Sequence, residues 1–316
     1  MQLSEEIITF ARSLGFDLIG FSPAKIEQKY LQAFDDWLAA GHQGQMQYME
    51  KVQQRRDLTQ ILPKAKSVIC LATNYYYDQK PLQKAHGRVA RYAFGRDYHK
   101  IIAKKLKQLV AHLEQIAPEH QHKAYVDTGP ILERALAEQA GLGAVGKNAC
   151  LISPTHGSWL FLSEIITTLN LPQTHQPQTR WQPQPDSHFK PCANCTKCLD
   201  ACPTGAIIAP GVIDSRLCIS YLTIENKDAI PPALAKIIKQ QKLLYGCDIC
   251  QEVCPHNQAR QKPHNHTEFH QKIAGDQLST KKILALTPQK HLQTFAGSPL
   301  MRAKLSGLQR SAKVLE

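Results

Sequence analysis

The chain has 316 residues, 43% of them hydrophobic, with 38 Lys and Arg against 26 Asp and Glu and a formal net charge of +12. That length accommodates two domains with a sizeable core, and no run reaches the apolar length of a membrane span, which argues against a membrane protein. The positive balance makes an anionic partner such as nucleic acid a candidate, and an N-terminus (MQLSEEIITFARSLGF) without a signal-peptide core points to the cytoplasm and reduced thiols.

The first 170 residues alternate helical and strand-like patterns: an amphipathic start, an apolar run from Asp17 to Phe21, a helix through Trp37 and Leu38, and a strand from Ser67 to Ala72. That order predicts an α/β domain over residues 1–170. Cys70, within the last run, reads as a small buried hydrophobe. From Arg88 to His99 the cations Arg91 and Arg96 interleave with aromatics, which suits phosphate contact with base stacking and equally suits an ordinary pocket. Ile101, Ile102, Leu106, Leu109, Val110, Leu113 and Ile116 then recur at helical spacing, with lysines at 100, 104, 105 and 107 between them. This predicts one helix from Tyr98 to Ile116 with a basic outer face.

A strand from Ala124 to Asp127 turns through Thr128-Gly-Pro130 into a helix from Ile131 to Ala140, with Pro130 in its first turn. Asp127 reads first as a turn residue that satisfies nearby backbone N–H groups. A strand-end carboxyl facing a pocket is the alternative, and it becomes a general acid if burial keeps it protonated. Gly141-Leu-Gly143-Ala-Val-Gly146-Lys147-Asn148 matches G-x-G-x-x-G, but it follows a helix and leads toward a strand, and Asn148 stands where a P-loop needs Ser or Thr. It reads as a glycine-rich C-cap and pocket loop rather than a nucleotide site. Cys150 to Ser153 and Trp159 to Thr167 read as two strands around a turn, and residues 171–187, rich in Pro, Gln and Thr, read as a linker.

Residues 188–262 hold eight of the ten cysteines: Cys192, Cys195, Cys198 and Cys202-Pro203, then Cys218, then Cys247, Cys250 and Cys254-Pro255. In two-cluster ferredoxins the fourth cysteine of a run ligates the other cluster, which assigns Cys192, Cys195, Cys198 and Cys254 to one [4Fe-4S] cluster. The second takes Cys202, Cys247 and Cys250, with Cys218 as its fourth thiolate. Structural zinc is the competing reading of paired C-x-x-C units, and disulfides run against a reducing compartment. A two-cluster ferredoxin-like module is therefore expected, followed over residues 263–316 by a short basic helical tail. His264, His266 and His270, in a polar segment, read as a solvated loop.

In combination with the cysteines, several motifs resemble epoxyqueuosine reductases over nearly the whole chain. They are Arg91-Tyr92-Ala-x-Gly-x-Asp97-Tyr98-His99, Tyr125-Val-Asp127-Thr128, Glu133-Arg134-Ala135, the glycine loop, Cys218-Ile-Ser-Tyr221, Tyr245-Gly-Cys247-Asp248 and Phe295-Ala-Gly-Ser-Pro299 with Arg302-Ala-Lys304. The resemblance implies a cobalamin-dependent reductase that removes the epoxide oxygen of epoxyqueuosine at the wobble position of tRNA, with Asp127 as a protonated donor. It places Arg56, Lys147, Asn148, Tyr221 and Asp248, with Asp127, at the cofactor. Arg91, Arg96, Lys100, Lys104, Arg302 and Lys304 would meet tRNA, with Arg310 and Lys313 adding charge to the tail. A cytoplasmic monomer fed by an external ferredoxin- or flavodoxin-type donor is implied as well. Asp97-Tyr98-His99 begins like the D-x-H-x-x-G signature of histidine-ligated cobalamin, but Ile102 occupies the glycine position, so no histidine is expected below cobalt. Ala144 and His256 stand where relatives commonly carry Trp. The rival readings are a cobalamin reductase of a small molecule, dehalogenase-like, and a non-catalytic ferredoxin-type electron carrier.

Overall fold

The computed structural model describes residues 3–174, 190–259, 266, 269 and 273–316, so His264, His270 and most of the expected linker lie outside the described residues. In chain order the first part comprises α1 (Leu3–Ser13), β1 (Leu18–Pro23), α2 (Gln28–Ala39), β2 (Ser67–Asn74), α3 (Tyr98–Ile116), β3 (His122–Tyr125), α4 (Glu133–Gln139) and β4 (Leu160–Thr167). The four strands form one sheet in the order β1-β2-β4-β3, and every pairing is antiparallel.

The alternation of helix and strand therefore does not build a parallel βαβ sheet, and the first part is of mixed α+β type. The cause is visible in β2, which is buried along its whole length. Ile69 and Leu71 pack with Ile7 of α1 and Ile102, Leu106 and Leu109 of α3, whereas Val68, Cys70 and Ala72 pack with Leu136 and Ala137 of α4. A strand covered on both faces carries a continuous apolar run whatever the direction of its neighbours.

α3 has the expected limits, and Asp97 caps it by accepting the His99 N–H at 3.1 Å. Its outer face is not uniformly basic, because Lys105 is buried. α4 starts at Glu133, so Pro130 precedes it rather than occupying its first turn. The buried Arg55 explains the delay: its Nη1 donates to the carbonyls of Gly129 and Ile131 at 3.1 and 3.0 Å, turning them away from helical acceptance. The strand expected around Cys150 is short, Leu151–Ile152, and pairs with Ala144–Val145 instead of β4.

A second sheet joins distant parts of the chain. His86–Val89 runs parallel to Leu243–Tyr245 and antiparallel to Gln277–Ser279. Over it lie Phe295, Leu300 and, from the helix Lys304–Leu315, Leu308 and Ala312, all buried with Val89, Leu244 and Tyr245. Among the described residues no helix is long and apolar enough to cross a membrane.

Candidate functional site

All ten cysteines are free, and eight of them sort into two groups. Cys192, Cys195, Cys198 and Cys254 line one hollow, closed by Asn148, Pro191, Lys197 and His256. Within this group the Cys198 thiol feels Cys192 and Cys254, and the Cys254 thiol feels Cys192 and Cys195. In the other group Cys218 feels Cys202, Cys247 feels Cys218 and Cys202, and Cys250 feels Cys150, Cys247 and Cys218. Cys150 lies between the groups, since it feels Cys254 and Cys198 as well. Burial, followed by the neighbouring thiols, pushes Cys247 up to about 12, so a cationic core is needed to hold such sulfurs as thiolates. Among the described residues no three His, Cys, Asp or Glu side chains are gathered to hold a single metal ion. Thiols set around a hollow suit a cubane of iron and sulfide better than a tetrahedral zinc.

The glycine-rich loop bridges both sets. Lys147 donates its backbone N–H to Cys192 Sγ at 3.3 Å and its Nζ to the carbonyls of Ala193 and Cys195 at 2.9 and 3.0 Å. Buried Asn148 donates to the Cys250 carbonyl at 3.4 Å. A side chain at Gly143 would collide with the Ile152 carbonyl, which keeps this loop flat against its hairpin partner. His256 reaches across to the Pro191 carbonyl at 2.6 Å.

Asp127 stands two residues beyond β3 with φ of +56°, a left-handed conformation rare for a residue with a side chain. Its Oδ2 accepts from Tyr98 Oη at 2.5 Å and faces His99 Nε2 at 3.1 Å, while its backbone N–H donates to Glu133 Oε1 at 2.7 Å. The other ring nitrogen of His99 lies 2.7 Å from Asp97 Oδ1, so both nitrogens are engaged and neither is presented to a metal. Burial alone would lower the imidazole, but the bonds and charges of Asp127 and Asp97 outweigh it and raise His99 to about 9. Burial would likewise raise Asp127, yet bonds from His99 and Tyr98 and the charges of His99 and Arg302 hold it below the usual carboxylate range. These partners favour the carboxylate form of Asp127 and the protonated form of His99 in the free protein, and leave a proton beside the carboxyl. The Asp127 side chain remains 55% exposed.

The remaining expected residues are scattered around this centre. Arg56 pairs with Asp35 at 2.6 Å, and its neighbour Arg55 instead ties the Tyr48 carbonyl to the loop after Asp127. The Tyr48 ring is 44% exposed, lies 5.6 Å from the Arg302 guanidinium, and its phenol feels both Arg302 and Asp127. Tyr221 accepts the Gln45 N–H at 2.7 Å. Buried Asp248 accepts the Arg91 N–H at 2.8 Å, and Arg91 Nη1 reaches Glu252 at 2.6 Å. Arg91 is therefore committed internally, as is Arg310, which donates to the carbonyls of Leu222 and Asn226, whereas Arg302 is doubly bonded to Glu225 at 2.9 Å with its side chain still 55% exposed. Arg96, Lys100 and Lys104 do converge, on a cavity of about 520 Å³, and Lys304 is exposed. His266, expected in a solvated loop, is tucked against Asp17 at 2.9 Å.

Sequence reasoning passed over Glu133 and Glu164 as chemical groups. Glu164 is wholly buried on β4, and a carboxyl alone in the apolar run Leu160–Thr167 was the available signal.

The family model described as "Epoxyqueuosine reductase QueG, DUF1730" matches residues 55–128, and that described as "4Fe-4S double cluster binding domain" matches residues 191–257. An epoxyqueuosine reductase of Gloeobacter violaceus is 40% identical over 98% of this chain and 94% of its own length. A crystal structure of epoxyqueuosine reductase with a tRNA-Tyr epoxyqueuosine-modified stem loop superposes with a TM-score of 0.87 at 31% identity, covering 99% of this chain and 80% of that one. A catabolic reductive dehalogenase shares the fold alone, at 14% identity and a TM-score of 0.50 over 99% of this chain and 37% of its own.

Proposed function

Because the chain belongs to the epoxyqueuosine reductase family, we propose that it reduces epoxyqueuosine to queuosine at the wobble position of tRNA, with two [4Fe-4S] clusters and cobalamin as its cofactors. The observation that carries this reading is Asp127, held by Tyr98 and His99 in a chain that also carries both cysteine sets. An electron carrier needs the cysteines but has no use for a strained, proton-coupled carboxylate.

Conversion of an epoxide to an alkene with loss of water consumes two electrons and two protons, the first proton passed by His99 and Asp127 and the second taken from solvent, to which the Asp127 side chain is 55% exposed. Cobalamin, when bound, supplies the two-electron chemistry at the epoxide carbocycle. Cys192, Cys195, Cys198 and Cys254 would hold one cluster and Cys202, Cys218, Cys247 and Cys250 the other, which would supply one-electron transfer from an external ferredoxin- or flavodoxin-type donor. Arg56, Tyr221, Asp248 and the loop of Lys147 and Asn148, together with Asp127, would hold the cofactor. Asp127 conducts the proton: His99 holds it on Nε2 at 3.1 Å and delivers it through the carboxyl as the epoxide oxygen becomes basic. Tyr98 keeps the carboxylate aimed meanwhile. The chain acts as a cytoplasmic monomer.

The test uses purified, cluster-loaded protein with cobalamin and an epoxyqueuosine-bearing stem loop, with queuosine read by mass spectrometry. Wild type should convert it, and Asp127→Asn should retain iron and cobalamin while turnover falls by about 100-fold or more. Near-normal turnover in that variant sinks the role of Asp127; a wild type that makes no queuosine sinks the reaction.

A further inference from the structure

Asp97 is the one member of the Asp97-Tyr98-His99 motif to which the reaction above gives no part. Its place is fixed three ways. The backbone N–H donates to the Gly297 carbonyl at 2.7 Å, the carbonyl accepts the Lys100 N–H at 3.1 Å, and Oδ1 caps α3 by accepting the His99 N–H at 3.1 Å. The same Oδ1 lies 2.7 Å from Nδ1 of the His99 ring. An oxygen already accepting a backbone N–H is the acceptor toward the ring as well, so the hydrogen-bond network assigns a hydrogen to Nδ1. Burial would raise the Asp97 carboxyl, but the bonds and charge of His99 and the charge of Lys100 hold it below the usual range, in agreement with an acceptor. The other groups about the ring are Tyr98, stacked on it at 4.1 Å, and Asp127, which faces Nε2 from the loop after β3. Arg302 and Glu133 act on Asp127 rather than on the imidazole.

We propose that Asp97 is a positioning residue for His99: by holding the hydrogen on Nδ1 it makes the Nε2 proton the one released toward Asp127. A neutral imidazole does not surrender its only N–H hydrogen, so the donor in this step is the imidazolium. The Nε2–H bond breaks, its electron pair stays on Nε2, and the proton passes to Asp127 Oδ2. What remains is a neutral ring whose single hydrogen is on Nδ1, against Asp97. Asp97 thus stabilises the ring on both sides of the transfer, first as a cation and then in the one neutral form the transfer leaves behind. Without it, the hydrogen of the neutral ring is drawn to Nε2 by the Asp127 carboxylate, and His99 becomes a ring with nothing to give.

This inference rests on His99 and Asp127 as the proton path, and the readouts separate the two. Asp97→Ser keeps a helix cap but is too short to reach the ring, and Asp97→Asn keeps the cap and the acceptor without the charge. In the cluster-loaded protein, the ring nitrogen resonances of His99, identified by their loss in His99→Gln, report which nitrogen carries the hydrogen. Above the midpoint the wild type and Asp97→Asn should show Nδ1–H, and Asp97→Ser should show Nε2–H. The midpoint, about 9 in wild type, should be lower by about one pH unit or more in both variants. The fall of kcat at high pH should move down with it, about fivefold or more at pH 9, with KM for the stem loop within about twofold. An unchanged hydrogen position and midpoint in Asp97→Ser overturns the proposal. Should that variant fail to fold, Asp97→Asn decides: a lowered midpoint upholds the proposal and an unchanged one overturns it. A moved hydrogen and a lowered midpoint with an unmoved kcat profile uphold the positioning of the ring and overturn instead the proton path through His99.

Discussion

Three demands meet at Asp127. The backbone must sit in a left-handed conformation, the carboxyl must accept from Tyr98 and His99, and the N–H must reach Glu133. Since His99 is raised in the folded protein to about 9, its charge pair stabilises the fold fully below the unfolded value of 6.5 and loses that contribution as pH climbs through about 9. Asp127→Asn should move the His99 midpoint down from about 9 toward 6.5, as followed by the imidazole resonances of histidine-labelled protein. A midpoint that stays put would separate the two residues. Asp127 was legible in the sequence, because a carboxyl between a strand and a Thr-Gly-Pro turn attracts notice. Its partners were not, since His99 and Tyr98 lie 28 and 29 positions away in sequence.

At the scale of elements, the helix Tyr98–Ile116 was readable end to end because its apolar residues keep one stripe over five turns. The stripe also explains its cost when broken. Ile102 is fully buried against both α1 and the sheet, so Ile102→Ala should destabilise the protein by roughly 2–5 kcal/mol, seen as a lower urea midpoint at unchanged slope. A loss below about 1 kcal/mol would mean the layer between helix and sheet can collapse onto the gap. Lys105 breaks the simple two-faced picture: its stem joins the buried side and its amine lies beside Gly15, an arrangement that residue type alone does not reveal. Strand direction was equally hidden. Apolar runs such as Ser67–Asn74 and Leu160–Thr167 announce burial on both faces, not which way a neighbour runs. The cluster module was legible for the opposite reason, since the spacing of its cysteines is itself the signature.

For the whole molecule, a charge of +12 overstates the cations free to meet RNA. Arg91 and Arg310 are bound to the protein itself, whereas Arg302 is exposed beside Glu225 and Arg96, Lys100 and Lys104 surround an open cavity. Affinity for the tRNA stem loop should fall steeply with salt, and Lys104→Ala should reduce the slope of log K against log salt by about 0.7 to 0.9, the effect of one phosphate contact. An unaltered slope, measured by salt-titrated binding, would place the RNA elsewhere. The division into a first domain, a cluster module and a tail was drawn from composition. Strands of three and four residues carry too little pattern to show that His86–Val89 pairs with both Leu243–Tyr245 and Gln277–Ser279.

That shared sheet also orders events in time. Leu243–Tyr245 ends two residues before Cys247, and Leu244 and Tyr245 are buried together with Val89 from far upstream and with Phe295, Leu300, Leu308 and Ala312 from downstream. The approach to the second run of cysteines therefore settles only after chain on both sides of it has been made, whereas the hollow of the first set is walled by residues that precede or adjoin its own thiols.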